Sequence, residues 1–121
     1  MARQRKVKLS DNALTVLRKR DYLKRDKDGR VVETPEKMFR RVARAVAGVE
    51  KNYGKAKDVV DWEGKFYDAM SSLEFLPNSP TLMHAGTEFN QLSACFVLPM
   101  GDSLEEIFKT MEHTATIART G

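Results

Sequence analysis

The sequence predicts a mainly α-helical fold, in which one short β-strand and a last helix follow an N-terminal helical domain. Apolar side chains recur at helical spacing up to residue 74 and again after residue 102. A segment with two prolines and a short apolar run separate these two regions. We therefore divide the chain into a basic flexible leader (1–9), a helical domain (10–74) and a final loop, strand and helix (75–121).

The composition is that of an ordinary globular domain. A length of 121 residues suits one domain with a modest core, and the hydrophobic fraction is 41%. The chain contains no apolar run of ~20 residues and no apolar segment typical of a secretory signal. One cysteine and two separated histidines, His84 and His113, predict neither an internal disulfide nor a metal site. We expect a cytoplasmic protein without membrane association, and we expect both histidines to be structural or exposed.

The net charge of +4 is concentrated in the first thirty residues. Eleven Lys and Arg there outnumber four Asp and give that segment a charge of +7. A basic segment can bind nucleic acid, so one interpretation is a stand-alone small helical binding module. The alternative is a solvated leader that runs into a charged helix. We favour the leader and expect no direct nucleic-acid binding, because Tyr22 is the only aromatic residue among these charges.

Capping signals predict the first two helices. Ser10 or Asp11 can cap a first helix that carries an apolar stripe. Thr34 is a favourable N-cap for a second helix over 35–53, and Pro35 suits its first position.

Two further helices follow from apolar spacing. A third is predicted over 60–73, although Gly64 within it costs about 1 kcal/mol relative to alanine. The last helix is predicted over 102–118, with Asp102 or Ser103 as its N-cap.

The region between these helices carries the only cysteine of the chain, Cys95. Residues 75–90 are predicted to form a long irregular loop, because prolines, a glycine and small polar residues interrupt the helical pattern. Residues 91–98 alternate weakly and end at Pro99, which is typical of a buried strand.

Three short motifs carry a family resemblance: Asn-Ser-Pro-Thr-Leu-Met at 78–83, Gln-Leu-Ser-Ala-Cys at 91–95 and Asp-Ser-Leu at 102–104. Together they resemble the first cysteine segment of the large chain of ribonucleotide reductase. The resemblance is greatest to the adenosylcobalamin-dependent class II enzymes, and the iron- or manganese-dependent class I chain is the main alternative. It implies that 91–98 is the first strand of an α/β barrel. The barrel is incomplete in this chain, as expected of a truncated, intein-interrupted or split gene.

The same resemblance implies roles for named residues. Cys95 is one of the two thiols that reduce the ribose, Ser79 contacts the substrate phosphate, and Ala94 contacts the substrate through its backbone. The effector-binding positions are Asp102, Ser103 and Leu104. Taken alone, these residues have simpler interpretations: a buried structural thiol, a hydroxyl in a turn before Pro80, and the N-cap of a helix.

Partners follow from the resemblance as well. It implies adenosylcobalamin as cofactor, bound by residues outside this portion, and a ribonucleotide substrate that is a diphosphate or a triphosphate. A deoxynucleotide effector regulates the family, a thioredoxin-like reductant regenerates its thiols, and the 103–118 helix packs in a homodimer. We expect this chain to be inactive without the remaining portion of the reductase, because it has one thiol where a pair and a radical site are needed.

Overall fold

The computed structural model describes residues 6–119, which are mainly helical. Helix α1 (Asp11–Lys19) begins as predicted, because the Oγ of Ser10 accepts a hydrogen bond from the N–H of Ala13 at 3.2 Å. Helix α2 (Pro35–Ala47) is capped by Thr34, whose Oγ1 accepts from the N–H of Lys37 at 3.3 Å. A 3₁₀ turn (Gly48–Asn52) extends α2, so helical structure covers nearly all of the predicted 35–53.

Helix α3 (Ala56–Ser71) begins four residues before the predicted start at residue 60. Asp58 in its first turn accepts a hydrogen bond from the N–H of Lys55 at 2.7 Å, which stabilises the earlier start. Gly64 lies inside the helix without interrupting it.

The predicted irregular loop at 75–90 is wrong in part, because it contains a short helix, α4 (Ser79–His84). Asn78 is its N-cap and Pro80 lies in its first turn, a combination that favours a helix start. Helix α5 (Leu104–Ala118) ends the described chain, and Ser103 is its N-cap.

The hydrophobic core forms where α2 packs against α3 and α4. Burial of apolar side chains at this junction is the main source of stability. Ala43 and Ala47 of α2 are fully buried and let the neighbouring helices approach closely. The buried core residues are Val7, Leu23, Met38, Phe39, Val42, Ala43, Ala47, Tyr67, Met70, Leu82 and Ala85.

The start of the chain contributes to this core. Val7 is buried, and its N–H donates a hydrogen bond to Oε1 of Glu36 at 3.3 Å. This part of the predicted flexible leader (1–9) therefore lies against the helical domain, while residues 1–5 fall outside the described residues.

The predicted strand at 91–98 is not found. Residues 91–98 have no strand assignment, and across 6–119 the backbone pairs only in an isolated antiparallel bridge between Arg25 and Val31. Cys95 and its neighbours are exposed rather than buried. A strand needs a neighbouring strand to satisfy its backbone groups, and residues 6–119 supply none to this segment. The start of a barrel is therefore not observed.

Among residues 6–119, no helix is long and apolar enough to cross a membrane.

Candidate functional site

Cys95 lies in an irregular, largely exposed segment between α4 and α5, residues 91–99, which we call the cysteine segment. Its thiol is exposed, as are the side chains of the residues on either side of it, Ala94 and Phe96. The simpler interpretation of a buried structural thiol therefore does not describe this cysteine. An exposed thiol is accessible to a disulfide partner or to a reactant.

Ser79 is the first residue of α4, and its side chain is exposed. Its Oγ lies 2.7 Å from the Oη of Tyr22, in the turn that follows α1. This hydrogen bond orients the serine hydroxyl. The sequence prediction missed Tyr22, because a contact between residues 57 positions apart leaves no local pattern.

The two residues that flank Ser79–Pro80 connect α4 to the cysteine segment. Nδ2 of Asn78 donates a hydrogen bond to the carbonyl oxygen of Leu92 at 3.0 Å, and Oγ1 of Thr81 donates to the same oxygen at 3.1 Å. Leu92 lies three residues before Cys95. The structure therefore brings the neighbours of Ser79 into direct contact with the cysteine segment.

The opposite end of α4 is held by Arg41 of α2. Its Nη1 donates to the carbonyl of Ala85 at 2.7 Å, and its Nη2 donates to that of Leu82 at 3.2 Å. Glu33 balances the charge, since its two carboxylate oxygens each accept from Arg41 at 2.9 Å. Both side chains are nearly buried, with 12% and 9% of their surface exposed. The sequence prediction also missed this pair, because a charged residue on an amphipathic helix, such as Arg41, usually faces solvent.

The proposed effector residues lie at the start of α5. The Oγ of Ser103 accepts a hydrogen bond from the N–H of Glu106 at 3.2 Å, and the Glu106 carboxylate lies 2.7 Å from the same Oγ. This capping box matches the simpler interpretation of Ser103 as an N-cap. Asp102 and Leu104 on either side are exposed and accessible to a ligand.

Helix α5 is joined to the cysteine segment but barely buried. Oγ1 of Thr110 donates to the carbonyl oxygen of Pro99 at 2.8 Å, and Thr110 is the only buried residue of the helix. Apolar side chains on α5 and just before it are exposed instead, and such surfaces mark contact sites. They are Phe96, Val97, Met100, Leu104, Phe108 and Met111.

Neither histidine joins a site among the described residues. His84 contacts Phe89 edge-on with ring centroids 5.0 Å apart, and His113 is exposed on α5. No group of three His, Cys, Asp or Glu side chains between residues 6 and 119 is arranged to hold a metal ion.

Comparison with known proteins matches the chain to one family. Residues 7–90, more than half of the chain, match the model of the ribonucleotide reductase all-alpha domain. The sequence is 45% identical over 117 residues to a vitamin B12-dependent ribonucleoside-diphosphate reductase of Mycobacterium tuberculosis (strain ATCC 25618 / H37Rv), covering 95% of this chain and 16% of that protein.

Two further relatives extend the comparison. A vitamin B12-dependent ribonucleoside-diphosphate reductase of Thermoplasma acidophilum is 38% identical over 169 residues, covering 95% of this chain and 22% of the relative. A ribonucleoside-diphosphate reductase large subunit of Trypanosoma brucei brucei is 38% identical over 106 residues, covering 84% of this chain and 12% of the relative. The chain thus spans less than a quarter of the length of these relatives.

Proposed function

The chain belongs to the ribonucleotide reductase large-chain family, and from that premise we propose that it supplies the helical domain and one reducing thiol of a vitamin B12-dependent reductase. The complete protein converts ribonucleotides to deoxyribonucleotides for DNA synthesis. The observation that carries this proposal is the 45% identity that extends over 95% of the chain to a reductase of that kind.

Cys95 provides part of the reducing power. Replacing the ribose 2′-hydroxyl by hydrogen releases water and consumes two electrons, which two thiols supply as they form one disulfide. Cys95 is one of these thiols, and the second lies in the remaining portion of the reductase. Its exposure in this chain supports the role, because the thiol must reach both substrate and partner cysteine. A thioredoxin-like dithiol then reduces the disulfide, in the reducing environment of the cytoplasm.

The substrate lies between the cysteine segment and α4. Ser79 donates its exposed hydroxyl to a substrate phosphate oxygen, and Tyr22 orients that hydroxyl. Ala94, next to Cys95, contacts the substrate through its backbone. The hydrogen bonds from Asn78 and Thr81 to Leu92 support this arrangement, because they connect the phosphate side of the site to the thiol side.

Adenosylcobalamin, when bound to the complete reductase, supplies the radical that starts the reaction. The described residues do not fit this cofactor. The apolar cavity between α2 and α3 has a volume of about 250 Å³, and the cavity beside Thr34 and Glu36 has a volume of about 350 Å³. These volumes are at or below the lower end of the roughly 300–1,000 Å³ of pockets for drug-sized ligands, and cobalamin is larger than those ligands. We assign the cofactor to the remaining portion and derive no step through it.

Regulation and assembly involve the start and the face of α5. Asp102, Ser103 and Leu104 bind the effector deoxynucleotide, and the exposed Phe108 and Met111 pack against the same helix of a second subunit. Residues 91–98 become the first strand of the α/β barrel when the remaining portion provides a neighbouring strand. Exposed apolar side chains on α5 and within residues 91–98 support these two assignments, because neither surface is covered within residues 6–119.

The substitution Cys95→Ser in the complete reductase tests the proposal. Serine is close in size to cysteine but cannot form a disulfide, so we expect multiple-turnover reduction to be lost. Because the two side chains differ so little in volume, the melting temperature should stay nearly unchanged. Ser93→Ala in the same segment is the matched control and should retain turnover. Retention of turnover with a dithiol reductant by Cys95→Ser would refute the proposed role.

A further inference from the structure

The side chain of Asn78 uses both ends of its amide. Oδ1 accepts a hydrogen bond from the N–H of Thr81 at 2.9 Å and so caps α4. Nδ2 donates to the carbonyl oxygen of Leu92 at 3.0 Å. A single orientation of the amide satisfies both partners, because the oxygen must face the N–H and the nitrogen must face the carbonyl. Asn78 therefore does more than begin a helix.

The carbonyl of Leu92 receives a second hydrogen bond, from Oγ1 of Thr81 at 3.1 Å. The side chain of Leu92 also packs against the hydrophobic core, whereas residues 93–97 are exposed. Beyond them, the carbonyl of Pro99 accepts from Thr110 at 2.8 Å. Hydrogen bonds thus hold the exposed cysteine segment at both ends, and those nearer to Cys95 come from Asn78 and Thr81.

We propose that Asn78 and Thr81 are positioning residues that hold the Cys95 segment at a fixed place relative to Ser79. The inference rests on the proposed function, because the importance of that placement depends on Cys95 and Ser79 acting on one substrate. Individually these hydrogen bonds contribute little to stability. A reacting thiol is sensitive to displacement, however, since a shift of ~1 Å can lower a rate about 100-fold.

The substitution Asn78→Asp separates positioning from helix capping. Aspartate keeps the oxygen that caps α4, and its negative charge is favourable at a helix N-terminus. It loses the Nδ2 donor to Leu92 and places a carboxylate oxygen against the carbonyl. Asn90→Asp is the matched control, because Asn90 is also exposed and uses Oδ1 to accept from the N–H of Gly86 at 3.1 Å.

The first measurement needs no catalysis. Because the 121-residue chain has one cysteine, a nitroxide label on Cys95 reports the motion of this segment without other substitutions. We expect Asn78→Asp and Thr81→Val to sharpen the electron paramagnetic resonance lines, while Asn90→Asp and Thr81→Ser leave them unchanged. Thr81→Ser keeps the donor hydroxyl and so serves as the conservative rescue. Circular dichroism should show the same helical content in all variants. Unchanged lines in Asn78→Asp and Thr81→Val overturn the proposal.

The second measurement determines kcat and KM for the complete reductase and its variants. A displaced thiol should lower kcat in Asn78→Asp by roughly tenfold or more while KM changes little. If Asn78 has only a structural role, Asn78→Asp should lower the melting temperature and leave kcat per folded enzyme unchanged. That result would overturn the proposal. Failure of the proposed function gives a different result from failure of the positioning role. In that case Cys95→Ser would retain turnover, whatever mobility the label on Cys95 shows.

Discussion

The hydroxyl oxygens of Tyr22 and Ser79 lie 2.7 Å apart and join the turn after α1 to the first residue of α4. The carbonyl of Tyr22 also accepts a hydrogen bond from Nη2 of Arg41 at 3.4 Å. The turn, α2 and α4 are therefore connected through side chains that surround the proposed phosphate-binding hydroxyl. The candidate site depends on this connection, because α4 has only six residues and cannot be stable alone.

Tyr22→Phe removes the hydrogen bond to Ser79 and retains the aromatic ring. We expect the free energy of unfolding to fall by about 0.5–1.5 kcal/mol, measured by urea denaturation. Tyr53→Phe is the control, because Tyr53 is 83% exposed and water replaces any bond of its hydroxyl. Equal stability changes in the two variants would show that the Tyr22–Ser79 contact contributes nothing.

Arg41→Met breaks the nearly buried pair with Glu33 and leaves the α4 carbonyls without their donor. Removing one partner of a buried ion pair costs about 3–5 kcal/mol, so we expect a large fall in the melting temperature. Arg30→Met is the control, since Arg30 is 79% exposed and lies 4.0 Å from Asp28. If thermal unfolding shifts equally in both variants, Arg41 does not hold α4 in place.

Glu36 predicts a dependence of stability on pH. Partial burial raises the pKa of its carboxyl. Hydrogen bonds from its own N–H, Thr34 and Val7, together with the charge of Lys6, lower the pKa by more than burial raises it, so the pKa lies below its usual 4.5. The folded state thus favours the carboxylate. Its contribution is present above pH 4.5 and is lost as the pH falls through the lowered pKa.

Glu36→Gln should therefore be less stable than the unsubstituted chain at neutral pH. We expect the difference to narrow as the pH falls below 4.5 and through the lowered pKa, measured by denaturation at several pH values. Glu112→Gln, at an exposed position on α5, should show no such difference. A constant difference for Glu36→Gln across this range would contradict the account.

Phe108 tests the role of α5 in assembly. Its side chain is 65% exposed, so Phe108→Ser should leave the melting temperature of the 121-residue chain nearly unchanged. In the complete reductase the same change should weaken the proposed homodimer, measured by sedimentation at several concentrations. Lys109→Ser, at an exposed polar position of α5, is the control. An unaltered dimer in Phe108→Ser would place the interface elsewhere.

Helix starts were predictable because their signals are local. Ser10, Thr34 and Ser103 each accept a backbone N–H three residues ahead. The sequence predicted Thr34 alone, and it offered Ser10 or Asp11 and Asp102 or Ser103 for the other two helices. The same logic applies to Asn78 and Pro80, yet the small polar residues around them suggested a loop. The start of α4 could thus have been predicted from Asn-Ser-Pro, although its short length and its packing could not.

Contacts between distant residues were not predictable from the pattern. Arg41 and Glu33 form a nearly buried pair where Arg41 donates to the carbonyls at the end of α4, and the sequence gives no indication that this end lies against α2. The strand at 91–98 was predicted from an apolar run, but a strand needs a neighbouring strand and residues 6–119 provide none to this segment. The family resemblance assigned roles to Cys95 and Ser79, while the structure added Asn78, Thr81 and Tyr22 around them.

The most direct test of the central claim is the redox state of Cys95 after one turnover. The complete reductase, fully reduced and then freed of external reductant, is given substrate, and its peptides are mapped by mass spectrometry. We predict that the peptide carrying Cys95 becomes linked by a disulfide to a second cysteine, in proportion to the deoxyribonucleotide formed. Formation of deoxyribonucleotide while Cys95 stays a free thiol would contradict the account.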